Sequence, residues 1–128
     1  MQRDEILNAV ITIIADCVAV AVPQVSEQAR LINELGMDSL DFLDVIFAVE
    51  KRFSIKLRDT EFEKLLRLDI LQEKSDAQEP LTDAELAPYL HYLPALVRES
   101  PRPEVTAISL YSYLTAESLV LAVEEVLH

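Results

Sequence analysis

Glycine and cysteine are almost absent from this sequence. Gly36 is the only glycine among 128 residues, so the chain has almost no residue suited to tight β-hairpin turns, which depend on glycine. Cys17 is the only cysteine, which excludes an internal disulfide and favours a reducing compartment. We therefore expect a mostly helical protein that works in the cytoplasm.

Basic residues are also scarce. Lysine and arginine number 11 against 23 acidic residues, and the formal net charge is -12. This argues against nucleic acid as a partner, because a basic surface supplies most of that affinity, and it favours partners with basic surfaces. Hydrophobic residues make up 51% and charged residues 27%, which is typical of a globular chain. We predict a single domain over residues 1–128, and a monomer.

The N-terminal run from Ile6 to Val22 is apolar enough to raise the question of a membrane segment. It is interrupted by Asn8, Thr12 and Asp16, whereas a spanning helix needs about 20 apolar residues with few or no charges. A signal peptide would have a more basic start. We predict a heavily buried first helix and no integral membrane segment.

Apolar residues recur at intervals of three and four, which predicts an all-α fold. The first helix is expected from Arg3 to Val22, ended by Pro23, because the residue before a proline avoids helical angles. The connection over residues 23–37 should pack on the core through its apolar positions. The inner side of the first helix is predicted to comprise Ile6, Val10, Ile13, Ile14 and Cys17.

A second helix is predicted to begin at Ser39. Asp38 is a suitable N-cap, and Asp41 completes a capping box. Its apolar residues form two sets, so either two neighbours cover the helix or one set is kept for partners. One set is Leu40, Leu43 and Phe47; the other is Phe42, Val45, Ile46, Val49 and Phe53.

Further helices are predicted in the second half. One is expected over residues 60–72, and another is capped by Thr82 with Glu85 as its reciprocal partner. A short helical turn should follow near Leu110, and the last helix should start near Thr115. The residues of that last helix expected to face inward are Leu119, Ala122, Val123, Val126 and Leu127.

The sequence shows no pattern of a metal site or a hydrolase. Asp38, Asp41 and Asp44 repeat every three residues, which favours a solvated acidic helix face over the alternating ligands of a calcium loop. Ser39 lacks the flanking glycines of a nucleophile elbow. His91 lies in the aromatic run YLHYLP and is interpreted as a packing histidine. We predict neither a bound metal nor catalysis.

Ser39 itself has two interpretations. It is either an ordinary residue at a helix start, where serine is common, or a hydroxyl displayed for modification. The helix N-terminus would favour an attached anion, and Gly36 would let the backbone turn sharply just before it. Physical reasoning leaves both possibilities open.

The stretch ELGMDSLDFLDVIFAVEKRFSIKL, residues 34–57, resembles the acyl carrier proteins, whose signature is Leu-Gly-x-Asp-Ser-Leu followed by an amphipathic helix. It is especially similar to specialised bacterial carriers of very long acyl chains for lipid A assembly. The resemblance covers about residues 3–58 and 107–127 and implies a four-helix bundle. It leaves residues 59–106 as an insertion with extra helices.

This resemblance implies that Ser39 carries 4'-phosphopantetheine, placed there by a phosphopantetheinyl transferase. The thiol of that group would hold a fatty acyl chain as a thioester and deliver it to enzymes of fatty acid or lipid biosynthesis. The implied partner face comprises Asp38, Leu40, Asp41, Leu43, Asp44, Phe47 and Glu50. The implied acyl pocket comprises Phe42, Ile46 and Val49.

Two departures from the family pattern favour a dedicated pathway over general fatty acid synthesis. Lys51 and Arg52 follow Glu50 where acidic residues are usual, and the insertion is far longer than an ordinary connection. Its apolar residues either extend the acyl pocket or form a small core of their own. The alternative functions are an unmodified helical interaction module and a peptidyl or aminoacyl carrier.

Overall fold

The computed structural model describes residues 2–57, 62, 80–99 and 103–127 of the chain. Helices and short 3-10 turns make up its regular structure within these ranges, which confirms the all-α prediction; extended pairing is confined there to isolated bridges, Arg30 with Thr115 and Pro80 with Thr106. The α-helices are α1 (Arg3–Val18), α2 (Ser39–Phe53), α3 (Asp83–Leu86), α4 (Pro94–Val97), α5 (Ala107–Leu110) and α6 (Ala116–Leu127). The 3-10 turns are Val22–Gln24, Leu90–Tyr92 and Tyr111–Tyr113.

The first helix ends earlier than its hydrophobic run predicts. α1 stops at Val18, and Ala19 adopts a left-handed conformation with φ 58°. The N–H groups of Ala19 and Val20 both donate to the carbonyl of Ala15, which closes the helix in the manner of a Schellman-like cap. The expected end at Val22 was therefore wrong: Pro23 lies in the separate 3-10 turn.

α1 packs against both α2 and α6, and these three helices enclose the core. Ile6, Val10 and Ile14 have no exposed surface, as predicted, whereas Ile13 and Cys17 are half-buried. The connection between α1 and α2 also packs inward, as expected, since Val25 and Leu31 are buried. The N–H of Leu31 donates to the carbonyl of Leu114 at 2.9 Å, which ties this connection to the chain before α6.

The last helix begins as predicted. Thr115 and Ser118 are both buried, and each side chain oxygen accepts the backbone N–H of the other residue, at 3.1 Å and 3.3 Å. These bonds satisfy N–H groups that the helix itself leaves unpaired. Of the residues predicted to face inward, Leu119, Ala122 and Val123 are buried, and Val126 and Leu127 are half-buried.

Residues 80–99 add to the same hydrophobic core. Thr82 and Glu85 form the predicted capping box, but the helix that they start, α3, has only four residues. The buried side chains of this segment join those of α1, α2 and α6 in one cluster; they include Leu81, Leu86, Tyr89, Tyr92, Leu93 and Leu96. These described residues do not form a core separate from that of α1, α2 and α6.

The predicted helix over residues 60–72 lies outside the described residues, except for Phe62, which is helical and buried. The ring of Phe62 lies 5.3 Å from that of Tyr92, in a tilted arrangement. The interpretation of His91 as a packing histidine was wrong. Its side chain is 60% exposed, with its ring edge-on to Tyr92 and its Nε2 atom 3.9 Å from the carboxylate of Glu125.

An ion-pair cluster joins the start of α1 to α6. The guanidinium of Arg3 donates to Glu27 and Glu124 at 2.8 Å and to Glu117 at 3.0 Å. The hydrogen bond to Glu27 and the charges of the three carboxylates outweigh burial and raise the pKa of Arg3. Within the described ranges, no helix is long and apolar enough to cross a membrane.

Candidate functional site

The loop before α2 turns sharply at Gly36. Gly36 has φ 70°, a left-handed conformation that side chains disfavour, and its N–H donates to the carbonyl of Ile32 at 3.1 Å. A Cβ atom added at Gly36 would meet nothing within 4 Å, so the backbone conformation, and not crowding, requires glycine here. The next residue, Met37, is buried and donates its N–H to the carbonyl of Leu31, which fixes the loop on the core.

The start of α2 is held by a reciprocal capping box, as the sequence predicts. The carboxylate of Asp38 accepts the N–H of Asp41 at 2.9 Å, and the carboxylate of Asp41 accepts the N–H of Asp38 at 3.1 Å. Ser39 follows the cap as the first residue of the helix. Its two neighbours, Asp38 and Leu40, are exposed, with Leu40 69% accessible, so this turn of the chain lies at the surface.

One apolar stripe of α2 is left uncovered. Leu40, Leu43 and Phe47 are 69%, 52% and 63% exposed, while the opposite side is buried through Val45 and Val49. Exposed large apolar side chains are few elsewhere in the described part of the chain: Val22 and Val97. The structure thus distinguishes between the two sequence alternatives, because one apolar side of α2 is buried in the core and the other is exposed to solvent.

The acidic residues predicted for the partner face differ in their surroundings. Asp38 and Asp44 are exposed, whereas Asp41 is half-buried and is engaged in the capping box. Glu50 is also half-buried, and its carboxylate accepts the N–H of Leu57 at 3.0 Å. This bond holds the segment that follows α2 against the end of the helix. The sequence did not predict this role of Glu50, because its partner lies beyond the helix end.

A shallow cleft of about 230 Å³ lies between α1 and α2. It is lined by Ile13, Asp16, Cys17, Asp44, Val45 and Ala48. The three predicted pocket residues are not among them: Phe42 and Ile46 are half-buried and Val49 is buried, all packed with the hydrophobic core. The predicted acyl pocket therefore stays a prediction.

Cys17 is poorly suited to reaction. Its Sγ atom lies 3.7 Å from the carbonyl oxygen of Asp41 in the wall of the cleft. Burial, and then the negative charges of Asp41, Asp44 and Asp16, raise the pKa of this thiol above its ordinary value of 9.0. A raised pKa means less thiolate near neutral pH, and the thiolate is the reactive form.

No group of three or more histidine, cysteine, aspartate or glutamate side chains is arranged for a metal ion among the residues with described positions. Asp38 and Asp41 instead bind backbone N–H groups, and Asp44 lines the cleft. The surface around Ser39 therefore combines a helix N-terminus, exposed carboxylates and an apolar stripe. Such a surface can present a modified residue to another protein.

Comparison with known proteins supports this interpretation. The family model described as a phosphopantetheine attachment site matches residues 8–68. An acyl carrier protein of Thermotoga maritima is 41% identical over 64 residues, which cover 50% of this chain and 79% of that protein. One of Guillardia theta is 37% identical over 68 residues, or 53% of this chain and 84% of that protein.

A third relative is the acyl carrier protein AcpXL of Mesorhizobium japonicum, which is 44% identical over 50 residues, or 39% of this chain and 54% of that protein. No solved structure matches this chain significantly. The family match and the coverage of the relatives agree with the helical architecture and with the sequence motif. The chain belongs to the acyl carrier protein family, and its cofactor is covalently attached 4'-phosphopantetheine.

Proposed function

We propose that Ser39 is the attachment residue and that the chain delivers acyl groups to enzymes of fatty acid or lipid biosynthesis. One observation carries the proposal: Ser39 is the first residue of α2, directly after an exposed N-cap and at one end of an exposed apolar stripe. A group attached at this position starts beside the surface on which a partner enzyme can dock.

The surroundings of Ser39 fit a phosphodiester-linked arm. Asp38 and Leu40 are exposed on either side, and the space beside Gly36 is open. The N-terminus of α2 favours an anion through its dipole, since its first N–H groups point out of the helix. The carboxylates of Asp38 and Asp41 are directed to each other's N–H groups, which limits their repulsion of a phosphate.

Attachment is a group transfer in which this chain supplies only the hydroxyl. The Ser39 oxygen forms a bond to the phosphorus that bears the pantetheine arm of coenzyme A, the pyrophosphate bond breaks, and adenosine 3',5'-bisphosphate leaves. The Ser39 proton passes to the transferase, which also supplies the magnesium. The attached group provides a thiol that holds an acyl chain as a thioester.

The stripe of Leu40, Leu43 and Phe47 supplies the apolar contact with partner enzymes in this proposal. Burial of exposed apolar side chains provides affinity, while exposed carboxylates steer a basic partner surface and accelerate encounter. Asp38 and Asp44 are exposed and available for steering. Asp41 and Glu50, predicted for the same face, contribute mainly by holding the two ends of α2 in place.

A dedicated pathway is the finer part of the proposal. The resemblance of residues 34–57 to specialised bacterial carriers and the packing of residues 80–99 with α1, α2 and α6 support it. Because Phe62, Leu93 and Leu96 are buried with the carrier helices, the extra segment changes the interior that a long acyl chain would meet. Deletion of the segment would therefore disturb the whole core, and point variants are the better probe of chain-length preference.

Intact mass spectrometry tests the proposal. The chain and its Ser39→Ala variant are incubated with coenzyme A, magnesium and a broad-specificity phosphopantetheinyl transferase. We expect one phosphopantetheine on the chain and none on the variant. No mass gain, with an enzyme that modifies a control carrier, would contradict the proposal and favour an unmodified interaction module. Loading with amino acids in preference to fatty acids would favour a peptidyl carrier.

A further inference from the structure

The two ends of α2 carry opposite charges. Asp38 is exposed at its N-cap and Asp44 in its second turn, whereas Lys51 and Arg52 are exposed in its last turn. Neither basic residue takes part in an ion pair within residues 2–57, 62, 80–99 and 103–127. The chain has a net charge of -12, so two exposed cations that form no such ion pair, beside an apolar surface, depart from its generally acidic character.

Only one of these two cations continues the apolar stripe. Lys51 follows Phe47 by four residues, just as Phe47 follows Leu43, so the three share one side of the helix. Arg52 is turned by about 100° from Lys51. Its guanidinium lies 5.4 Å from the ring centre of the buried Phe53, which directs it away from the stripe.

We infer that the acyl-transferring enzyme which this carrier serves has a docking surface that carries both positive and negative groups. It presents basic groups opposite Asp38 and Asp44, an apolar recess for the stripe, and a carboxylate opposite Lys51. The distance from Leu40 to Lys51 places that carboxylate about 16 Å along the helix axis from the Ser39 end. The inference rests on the proposed function, because it assumes that α2 docks while Ser39 carries the arm.

Opposite charges at the two ends fix the direction in which α2 lies on its partner. A helix that docked in reverse would bring Lys51 toward the basic groups and Asp38 toward the carboxylate, and such like-charge contacts are costly. The correct direction brings the arm on Ser39 to one end of the recess. A uniformly acidic helix would lack this selection against the reversed arrangement.

The charges also suit the helix dipole, which favours acids at the start and bases at the end. The effect on the dipole can be distinguished from an effect on docking, because Lys51 and Arg52 both lie in the last turn and would interact similarly with the dipole. Only Lys51 lies in line with the stripe. Lys51→Glu and Arg52→Glu therefore form a matched pair, with an equal change in net charge and a similar effect on the dipole.

The experiment begins with the chain in its holo form, confirmed by intact mass, with a photoreactive benzoylphenylalanine in place of Phe47. Crosslinking in cells that produce the chain, followed by mass spectrometry, identifies the enzymes bound at the stripe. An enzyme so identified that loads or removes an acyl group is purified, and its kcat/KM is measured with the unaltered holo chain, Lys51→Glu and Arg52→Glu. Circular dichroism confirms that all three are folded.

We expect Lys51→Glu to lower kcat/KM about tenfold at low ionic strength, mainly through KM, with Arg52→Glu within about twofold of the unaltered chain. Replacing the facing carboxylate of the enzyme by lysine should restore activity toward Lys51→Glu.

Equal effects of the two substitutions, or none, would overturn the inference and leave the proposed function intact. Failure of a holo chain to crosslink any such enzyme would overturn the docking surface. Absence of the arm by mass would instead contradict the proposed function.

Discussion

Asp38 and Asp41 each accept the backbone N–H of the other, at 2.9 Å and 3.1 Å, and so close the start of α2 one residue on either side of the Ser39–Leu40 pair. Two negative side chains are thus held in fixed directions by N–H groups that the helix would otherwise leave unpaired. These two bonds define the backbone at Ser39 through residues only three apart. Contacts from farther along the chain add to this local order, since the N–H of Met37 donates to the carbonyl of Leu31 and the Sγ atom of Cys17 lies 3.7 Å from the carbonyl oxygen of Asp41.

Loss of this capping box should weaken folding. We expect Asp38→Ala to cost about 1 kcal/mol of unfolding free energy, because the N–H of Asp41 loses its acceptor. Asp44→Ala, an exposed carboxylate of the same helix that caps nothing, should change stability by less than about 0.5 kcal/mol. Urea unfolding followed by circular dichroism measures both. Equal losses would indicate that general helix charge, and not the cap, is responsible.

Glycine should be required at position 36 only because of the left-handed backbone conformation there. Because φ is 70° and a Cβ atom would meet nothing within 4 Å, Gly36→Ala introduces strain but no clash. We expect a loss of about 1–2 kcal/mol for alanine and a smaller loss for Gly36→Asn, since asparagine tolerates this conformation better. Urea unfolding of both variants gives the comparison. A neutral alanine would show that the loop relaxes to another conformation.

The two sides of α2 should respond differently to truncation. Val49 has no exposed surface, so Val49→Ala should cost about 1–3 kcal/mol. Phe47 is 63% exposed, and Phe47→Ala should change stability by less than about 0.5 kcal/mol while it slows acyl transfer by partner enzymes. Unfolding and transfer rates are measured on the same preparations. Unaltered transfer by Phe47→Ala would contradict the assignment of the stripe.

Residues 80–99 should contribute to global stability although they lie outside the segment that matches the family model. Leu96 has no exposed surface and belongs to the common core, so Leu96→Ala should cost about 2–5 kcal/mol. Its neighbour Val97 is 56% exposed and provides the control, with little expected change. Unfolding should remain a single transition by circular dichroism and tyrosine fluorescence. A separate transition for the Leu96 variant would indicate two independent units.

Cys17 should be slow to alkylate. Burial and the neighbouring carboxylates raise its pKa in the folded state above 9.0, so it holds less thiolate at a given pH than the unfolded chain. Because the folded protein holds the thiol proton more tightly than the unfolded chain does, the free energy of unfolding is affected by pH. This contribution to stability is present in full below pH 9.0 and is lost as the pH rises through the higher folded-state pKa. Iodoacetamide labelling at pH 8, folded and in urea, measures the rates. Cys17→Ser should abolish the alkaline loss of stability; if that loss persists, another group is responsible.

The start of α2, its reciprocal cap and the position of Ser39 could be predicted from the sequence, because these features depend on hydrogen bonds between residues at most three apart. The capping of α3 and the start of α6 follow for the same reason. The end of α1 could not be predicted, since its apolar pattern continues beyond Val18. The left-handed conformation of Ala19 ends the helix there, and no glycine indicates it in the sequence.

What the sequence by itself determined is the helical character, the motif that identifies the family and the division of α2 into two apolar sides. Helical periodicity states which residues share a side, but it cannot state which side another helix will cover. Only the tertiary structure decided that Val45 and Val49 are buried and that Phe47 is exposed, and that Glu50 binds the N–H of Leu57. The physical reason is that burial depends on contacts between residues far apart in the chain, whereas caps and periodicity are local.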